Sequence, residues 1–229
     1  MKLTFVIFTF LVSIAASAAP LSQVVDHYTQ YLGDYGSSTA IMKNSPLHRG
    51  GDMRPKTVLK GVFYFGGSDV KRDLLSSGTQ SFLCSSGFSA TYSVYNKVDT
   101  RVSCSGNSME YTRIGEATSG GNGGPRVKAL LEKLYSIIKS GGAEGPVFLH
   151  CWYGVHASNT IAQIILKQFC GESDDLLSSN WRKVDLYRGL GEAGVQKNIA
   201  KVRAFEPYSH LSITAEERTA ICYKTDDSL

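Results

Sequence analysis

Val147-Phe148-Leu149-His150-Cys151-Trp152-Tyr153-Gly154-Val155-His156-Ala157-Ser158 joins a short apolar run to the start of a helix through a tight turn. The run Val147–His150 is apolar on successive rather than alternate positions, the pattern of a strand buried on both faces. It therefore belongs in the middle of a sheet. Beyond the turn, residues 157–169 read as a helix. Such a turn aims successive backbone N–H groups inward, and the helix that follows adds the positive end of its dipole. A thiolate at Cys151 is stabilised by the same amides, which makes this residue a candidate nucleophile inside an anion cradle. The competing reading is a buried cysteine at the end of a core strand. His150 before it, Gly154 permitting the turn and Ser158 opening the helix favour the site.

Working outward, the clearest helix spans residues 126–140. Val127, Leu130, Leu131, Leu134, Ile137 and Ile138 fall on one stripe at helical spacing, Pro125 opens the segment and Gly141-Gly142 closes it. A loop rich in Gly and Ser, residues 115–124, precedes it. Residues 100–104 and 109–114 read as strands, as do residues 61–65, closed by Gly66-Gly67. Residues 69–77 read as a short helix with Gly78 as its C-terminal cap, and residues 79–85 as a buried strand. Residues 19–60 carry a weaker signal: an apolar-polar stretch at Leu21–Leu32, then a charged loop, residues 48–55. After Gly171 come helices and loops carrying Trp181, Tyr187 and an amphipathic patch over residues 195–205. The alternation of helix and strand implies an α/β fold. The expected architecture is a central, mostly parallel sheet of about four or five strands with helices on both faces.

The 229 residues are 42% hydrophobic and 19% charged, which excludes a mostly disordered, collagen-like or coiled-coil chain. A net charge of +4 without any basic run gives no reason to expect a nucleic-acid partner. Residues 1–18 read as a secretory signal peptide: Lys2, an apolar stretch from Leu3 to Ala16, and Ala16-Ser17-Ala18 as a cleavage site before Ala19. The apolar stretch falls short of the ~20 residues that span a membrane, and no later segment qualifies. The expectation is an exported chain, periplasmic or extracellular, without a membrane span. In that compartment the five cysteines pair as far as they can. Cys84 with Cys104 and Cys170 with Cys222 are the preferred pairs, a connectivity that spacing alone does not fix. Cys151 is then the odd thiol.

His150, Cys151, Gly154 and Ser158 resemble the active-site signature His-Cys-x-x-Gly-x-x-Arg-Ser of the protein tyrosine phosphatase superfamily, especially its dual-specificity branch. The resemblance covers residues 58–169 and follows that fold's order of elements. It implies that residues 58–229 form a dual-specificity-phosphatase-like domain with a C-terminal helical extension, behind an N-terminal extension of residues 19–57. It also implies that Cys151 attacks phosphorus to form a thiophosphate intermediate. The backbone amides of Trp152, Tyr153, Gly154, Val155, His156, Ala157 and Ser158 would hold the phosphoryl oxygens. Ser158 would hydrogen-bond the thiolate, and His150 would orient the loop from behind. The implied ligand is phosphorylated or otherwise anionic, small molecule or protein, and no cofactor or metal is implied.

Two departures stand out. Ala157 occupies the position of the arginine that clamps two phosphoryl oxygens, a strong charge-assisted contact; losing one such transition-state contact costs about 10²–10³ in rate. No aspartate lies between Cys104 and Cys151, so Glu116 is the only carboxylate of the Gly-rich loop that could act as general acid. His156, Arg54 and Arg49 are candidate substitute cations. A zinc site at His150, Cys151 and His156 is disfavoured because successive strand residues face opposite ways. A papain-type pairing of Cys151 with His27, His48 or His210 lacks local context. The sequence leaves an exported cysteine phosphatase of weak or atypical activity, or a pseudophosphatase acting as a binding module.

Overall fold

The computed structural model describes residues 20–33, 36–70, 73–95, 98–115, 124–185 and 190–224. Residues 1–19, which include the expected signal segment, and Glu116 and Tyr187 lie outside these ranges. The described chain runs α1 (Leu21–Leu32), β1 (Lys56–Leu59), β2 (Phe63–Gly66), α2 (Ser77–Ser85), β3 (Ala90–Ser93), β4 (Asp99–Cys104), β5 (Asn107–Arg113), α3 (Gly124–Lys139), β6 (Val147–His150), α4 (Ala157–Ile165), α5 (Asp174–Asp185), α6 (Glu192–Ala204) and α7 (Ala215–Ile221). A π-helical turn, Leu166–Cys170, extends α4.

The strands form one mixed, mostly parallel sheet in the order β1-β2-β6-β3-β5-β4. The inner pairs β2–β6, β6–β3 and β3–β5 are parallel, and the edge strands β1 and β4 are antiparallel to their neighbours. β6 is interior, and all four of its residues are buried. The pleat sends Val147 and Leu149 to one side and Phe148 to the other. Val147 and Leu149 join a core with Leu130, Leu134 and Ile138 of α3 and Ile161 and Ile165 of α4. Phe148 joins a second core with Tyr64, Tyr111, Phe88, Tyr28 and Leu32 of α1, and Leu83 of α2. Met42, Leu47 and Met53 from the chain between α1 and β1 complete it. Helices thus cover both faces.

The sheet has six strands rather than four or five, because β1 and β3, each of four residues, were not anticipated. Residues 69–85 correct a second expectation. Residues 69–70 and 73–76 are not helical, and residues 79–85 belong to helix α2 rather than to a strand. The Ser76 hydroxyl accepts from Thr79 N–H at 3.2 Å as the N-cap of α2. The Asp69 carboxylate accepts from Ser76 N–H at 3.0 Å and from both the Ser76 and Thr79 hydroxyls. Gly78 therefore sits in the first turn of a helix, not past the end of one.

Disulfides join Cys84 of α2 to Cys104 of β4 and Cys170 to Cys222 behind α7. Cys151 is free and buried. The carboxyl ends of β2, β6, β3 and β5 all reach the same edge of the sheet, where a parallel sheet opens its crevice. The Cys151 turn leaves β6 at that edge.

Candidate active site around Cys151

Three glycines let three stretches of backbone meet beneath the turn. Gly154 has φ +69°, and a Cβ on it would lie 2.3 Å from Gly67 N and 2.5 Å from Gly66 C. A Cβ on Gly67 would lie 2.0 Å from Asp52 O, and one on Gly66 2.3 Å from Met53 O. The contact is held by hydrogen bonds: Gly67 N–H donates to Met53 O at 2.6 Å, Ser68 N–H to Trp152 O at 3.2 Å and Cys151 N–H to Gly66 O at 3.2 Å. The loop 50–55, the end of β2 and the Cys151 turn are thus stacked backbone on backbone.

Cys151 is 4% exposed. The Gly154 N–H points at its sulfur at 3.2 Å, and Ser158 Oγ lies 3.1 Å from it. Ser158 Oγ is also 3.3 Å from Gly66 O. A hydroxyl has one proton. With Cys151 as a thiol, Ser158 donates to Gly66 O and accepts from the sulfur. With Cys151 as a thiolate, the Ser158 proton turns to the sulfur, and Gly66 O keeps the Cys151 N–H. The arrangement serves both states without leaving a buried donor idle.

His150 is buried behind the turn. Its Nε2 is 2.7 Å from the Tyr111 hydroxyl, which itself accepts from Leu75 N–H at 3.0 Å. Its Nδ1 is 3.4 Å from Cys151 O. The consistent tautomer has the Tyr111 O–H donating to Nε2 and Nδ1–H facing Cys151 O. Burial pushes the imidazole down from 6.5 to about 4, against the pull of the Cys151 carbonyl and the Asp69 charge. Protons are therefore taken up by the unfolded chain before the folded one. The associated stability is present above pH 6.5 and is lost as pH falls towards 4. Replacing Tyr111 by Phe strands the Leu75 N–H and the His150 Nε2. We expect it to cost about 1–3 kcal/mol, read as a lower urea midpoint, with slower reaction of Cys151 towards an alkylating agent because the turn loses its brace.

Lys56, at the start of β1, is a buried cation against the turn that the sequence did not disclose. It is fully buried, with Nζ 2.9 Å from Arg54 O, 3.3 Å from Gly154 O and 5.0 Å from the centre of the Phe65 ring. Burial lowers its ammonium from 10.5 to about 7; the negative charge of Cys151 acts the other way, and Arg54 adds to the lowering. A lysine following a proline at the head of a four-residue strand gives no sequence signal of such a place.

Of the proposed substitute cations, Arg49 lies 4.8 Å over the Phe82 ring of α2. Arg54 pairs with Asp52 at 3.2 Å and carries φ +35° in the loop stacked on the cradle. His156 precedes α4 and meets Tyr153 edge-on, with ring centres 6.5 Å apart. Ala157 is the first residue of α4 and 4% exposed. Val155 is buried in the main core. The Trp152 and Tyr153 rings stack with their centres 4.6 Å apart, and Tyr153 packs against the main core. Tyr95, about half exposed beyond β3, has its phenol pushed up to about 12, by burial first and by the Cys151 charge second.

No family model matches the chain, and no curated protein matches it. Among solved structures, TpbA of P. aeruginosa is similar at 14% identity and a TM-score of 0.44, over 72% of this chain and 90% of that one. A Cys→Ser variant of TpbA in complex with pTyr is similar at 12% identity and a TM-score of 0.39, over 69% of this chain and 85% of that one.

Proposed function

We propose that the protein is an exported, protein tyrosine or dual-specificity phosphatase-like protein. In this reading its Cys151 loop takes a phosphorylated or otherwise anionic ligand and hydrolyses phosphomonoesters weakly or atypically. The observation that carries the reading is the sulfur of Cys151, which meets the Gly154 N–H and the Ser158 hydroxyl at the carboxyl edge of a parallel sheet. The thiolate attacks phosphorus, the ester oxygen departs with a proton, and water releases phosphate from the thiophosphate. Ser158 supports the sulfur as nucleophile and as leaving group. Glu116 is the proposed proton donor and Arg54 the proposed outer anion contact. Residues 1–18 and the two disulfides support export to an oxidising compartment. The second reading, a pseudophosphatase acting as a binding module, is favoured by Ala157 at the arginine position.

The test measures orthovanadate and phosphate binding together with hydrolysis of a small aryl phosphate. Wild type is expected to bind both anions and to turn over slowly. Cys151→Ser should keep phosphate binding and lose all hydrolysis. Absence of anion binding in wild type removes the cradle reading. Hydrolysis that survives in Cys151→Ser removes the nucleophile assignment.

A further inference from the structure

We propose that Lys56 is a positioning residue of the anion cradle: by holding the Gly154 carbonyl from beneath the turn, it sets the Gly154–Val155 peptide so that the Val155 N–H faces the bound anion. This rests on the cradle reading above and adds to it a residue outside the signature.

The carbonyls of the turn are held from behind. Cys151 O faces His150 Nδ1 at 3.4 Å, and Trp152 O accepts from Ser68 N–H at 3.2 Å. His156 O accepts from Thr160 N–H at 2.9 Å and from the Thr160 hydroxyl at 3.1 Å. The buried Gly154 carbonyl accepts from Lys56 Nζ at 3.3 Å, and no other donor among the described residues reaches it. No cis peptide bond occurs among the described residues, and in a trans peptide the C=O and the following N–H point to opposite sides. Fixing Gly154 O on Lys56 therefore turns the Val155 N–H away from Lys56. Gly154 itself is left-handed, φ +69°, a conformation that gathers neighbouring N–H groups into an anion-binding concavity. Its own N–H points at the Cys151 sulfur at 3.2 Å.

The Val155 N–H is the observation that calls for a ligand. Val155 is fully buried, yet its N–H has no acceptor among the described residues. A buried backbone donor without a partner is rare and costly, and an oxyanion seated in the turn supplies the missing acceptor. Lys56 is the matching anomaly on the other side of the same peptide. It is fully buried, its hydrogen bonds go to Arg54 O at 2.9 Å and to Gly154 O, and no carboxylate among the described residues pairs with it. Two carbonyls solvate an ammonium less well than water does. An anion at the Val155 N–H brings the opposite charge to within one peptide of Lys56. The ammonium in turn polarises that peptide, which strengthens the N–H as a donor. Through its bond to Arg54 O, Lys56 also ties the loop 50–55 to the cradle. It does all this on the carbonyl side of the peptide, without touching the ligand.

The test is titration of the isotope-labelled protein with inorganic phosphate, followed by NMR. In wild type the amide protons of Val155, Ala157 and Ser158 are expected to move downfield together as phosphate binds. Lys56→Met keeps the apolar stem and removes the donors. It should bind phosphate about tenfold more weakly, the loss of one contact to a charged group. Its Val155 amide should lose most of its response while those of Ala157 and Ser158 keep theirs. That selective loss separates positioning from general structural support, which would dull all three alike. A folded Lys56→Met that binds phosphate as wild type does, or one whose three amides fade equally, overturns the proposal. Wild type itself covers a Lys56→Met that does not fold. With phosphate bound, the Lys56 ammonium nitrogen should show scalar coupling to the Gly154 carbonyl carbon across their hydrogen bond. Absence of that coupling, or a Val155 amide that phosphate leaves unmoved, overturns the proposal and leaves the cradle. If wild type binds no phosphate at all, the cradle reading falls and takes this proposal with it.

Discussion

Gly154→Ala is expected to lower the melting temperature by about 10 °C and to abolish orthovanadate binding. Two costs combine. The backbone at Gly154 is left-handed, φ +69°, which costs an L-residue about 1–2 kcal/mol. The new methyl also lands 2.3 Å from Gly67 N and 2.5 Å from Gly66 C, both backbone atoms. Neither can yield alone, because Gly67 N–H is bonded to Met53 O and Gly66 O accepts from Cys151 N–H. Moving them shifts β2, the loop 50–55 and the nucleophile together, an overpacking cost of about 1–3 kcal/mol. For a domain of this size a loss of 1 kcal/mol lowers the midpoint by about 2–4 °C, which sets the figure. Gly106→Ala is the matched control: φ is +84°, but nothing lies within 4 Å of the new methyl. It should show only the smaller, conformational part of the loss and leave anion binding intact. A Gly154→Ala protein that melts with the control and still binds vanadate is incompatible with the stacked-backbone account of the site.

Residues 147–158 disclosed strand, turn and helix because each demand there is local. The strand is apolar on both faces, the turn needs its glycine and the helix opens on a small polar residue. The stripe of α3 was equally plain over 16 residues. Residues 69–85 misled because the deciding contacts are between side chain and backbone: Asp69 and Ser76 start α2, and Gly78 inside its first turn mimics a stop. β1 and β3 are four residues each, too short for a period of two to register against noise. Their place is set by pairing with other strands, Phe65 for Lys56 and the distant Val147 for Ala90. Lys56 was illegible for the same reason. A lysine belongs on the surface by composition, and only the pairing of β1 with β2 brings it under the turn. The Tyr111–His150 contact, 39 residues apart in sequence, likewise required the sheet.

Ala157→Arg is expected to raise hydrolysis of a small aryl phosphate by about 10²–10³. The gain should appear more in kcat than in ligand affinity, since a guanidinium grips the equatorial oxygens most strongly as charge spreads over them in the transition state. Position 157 opens α4 at the site of the dipole's positive end, and the turn that would receive the anion already holds the sulfur at Gly154 N–H and Ser158 Oγ. The substitution has a cost in the unliganded protein: Ala157 is 4% exposed, so a long charged side chain there must displace packed neighbours or reach out of the core. Ala157→Arg should therefore be less stable than wild type without ligand and recover on adding phosphate, which binds the folded state alone. Adding Cys151→Ser must abolish the gain in turnover. If Ala157→Arg folds and binds vanadate more tightly than wild type yet turns over no faster, the absent arginine is not what limits this chain, and the limit lies with the proton donor instead.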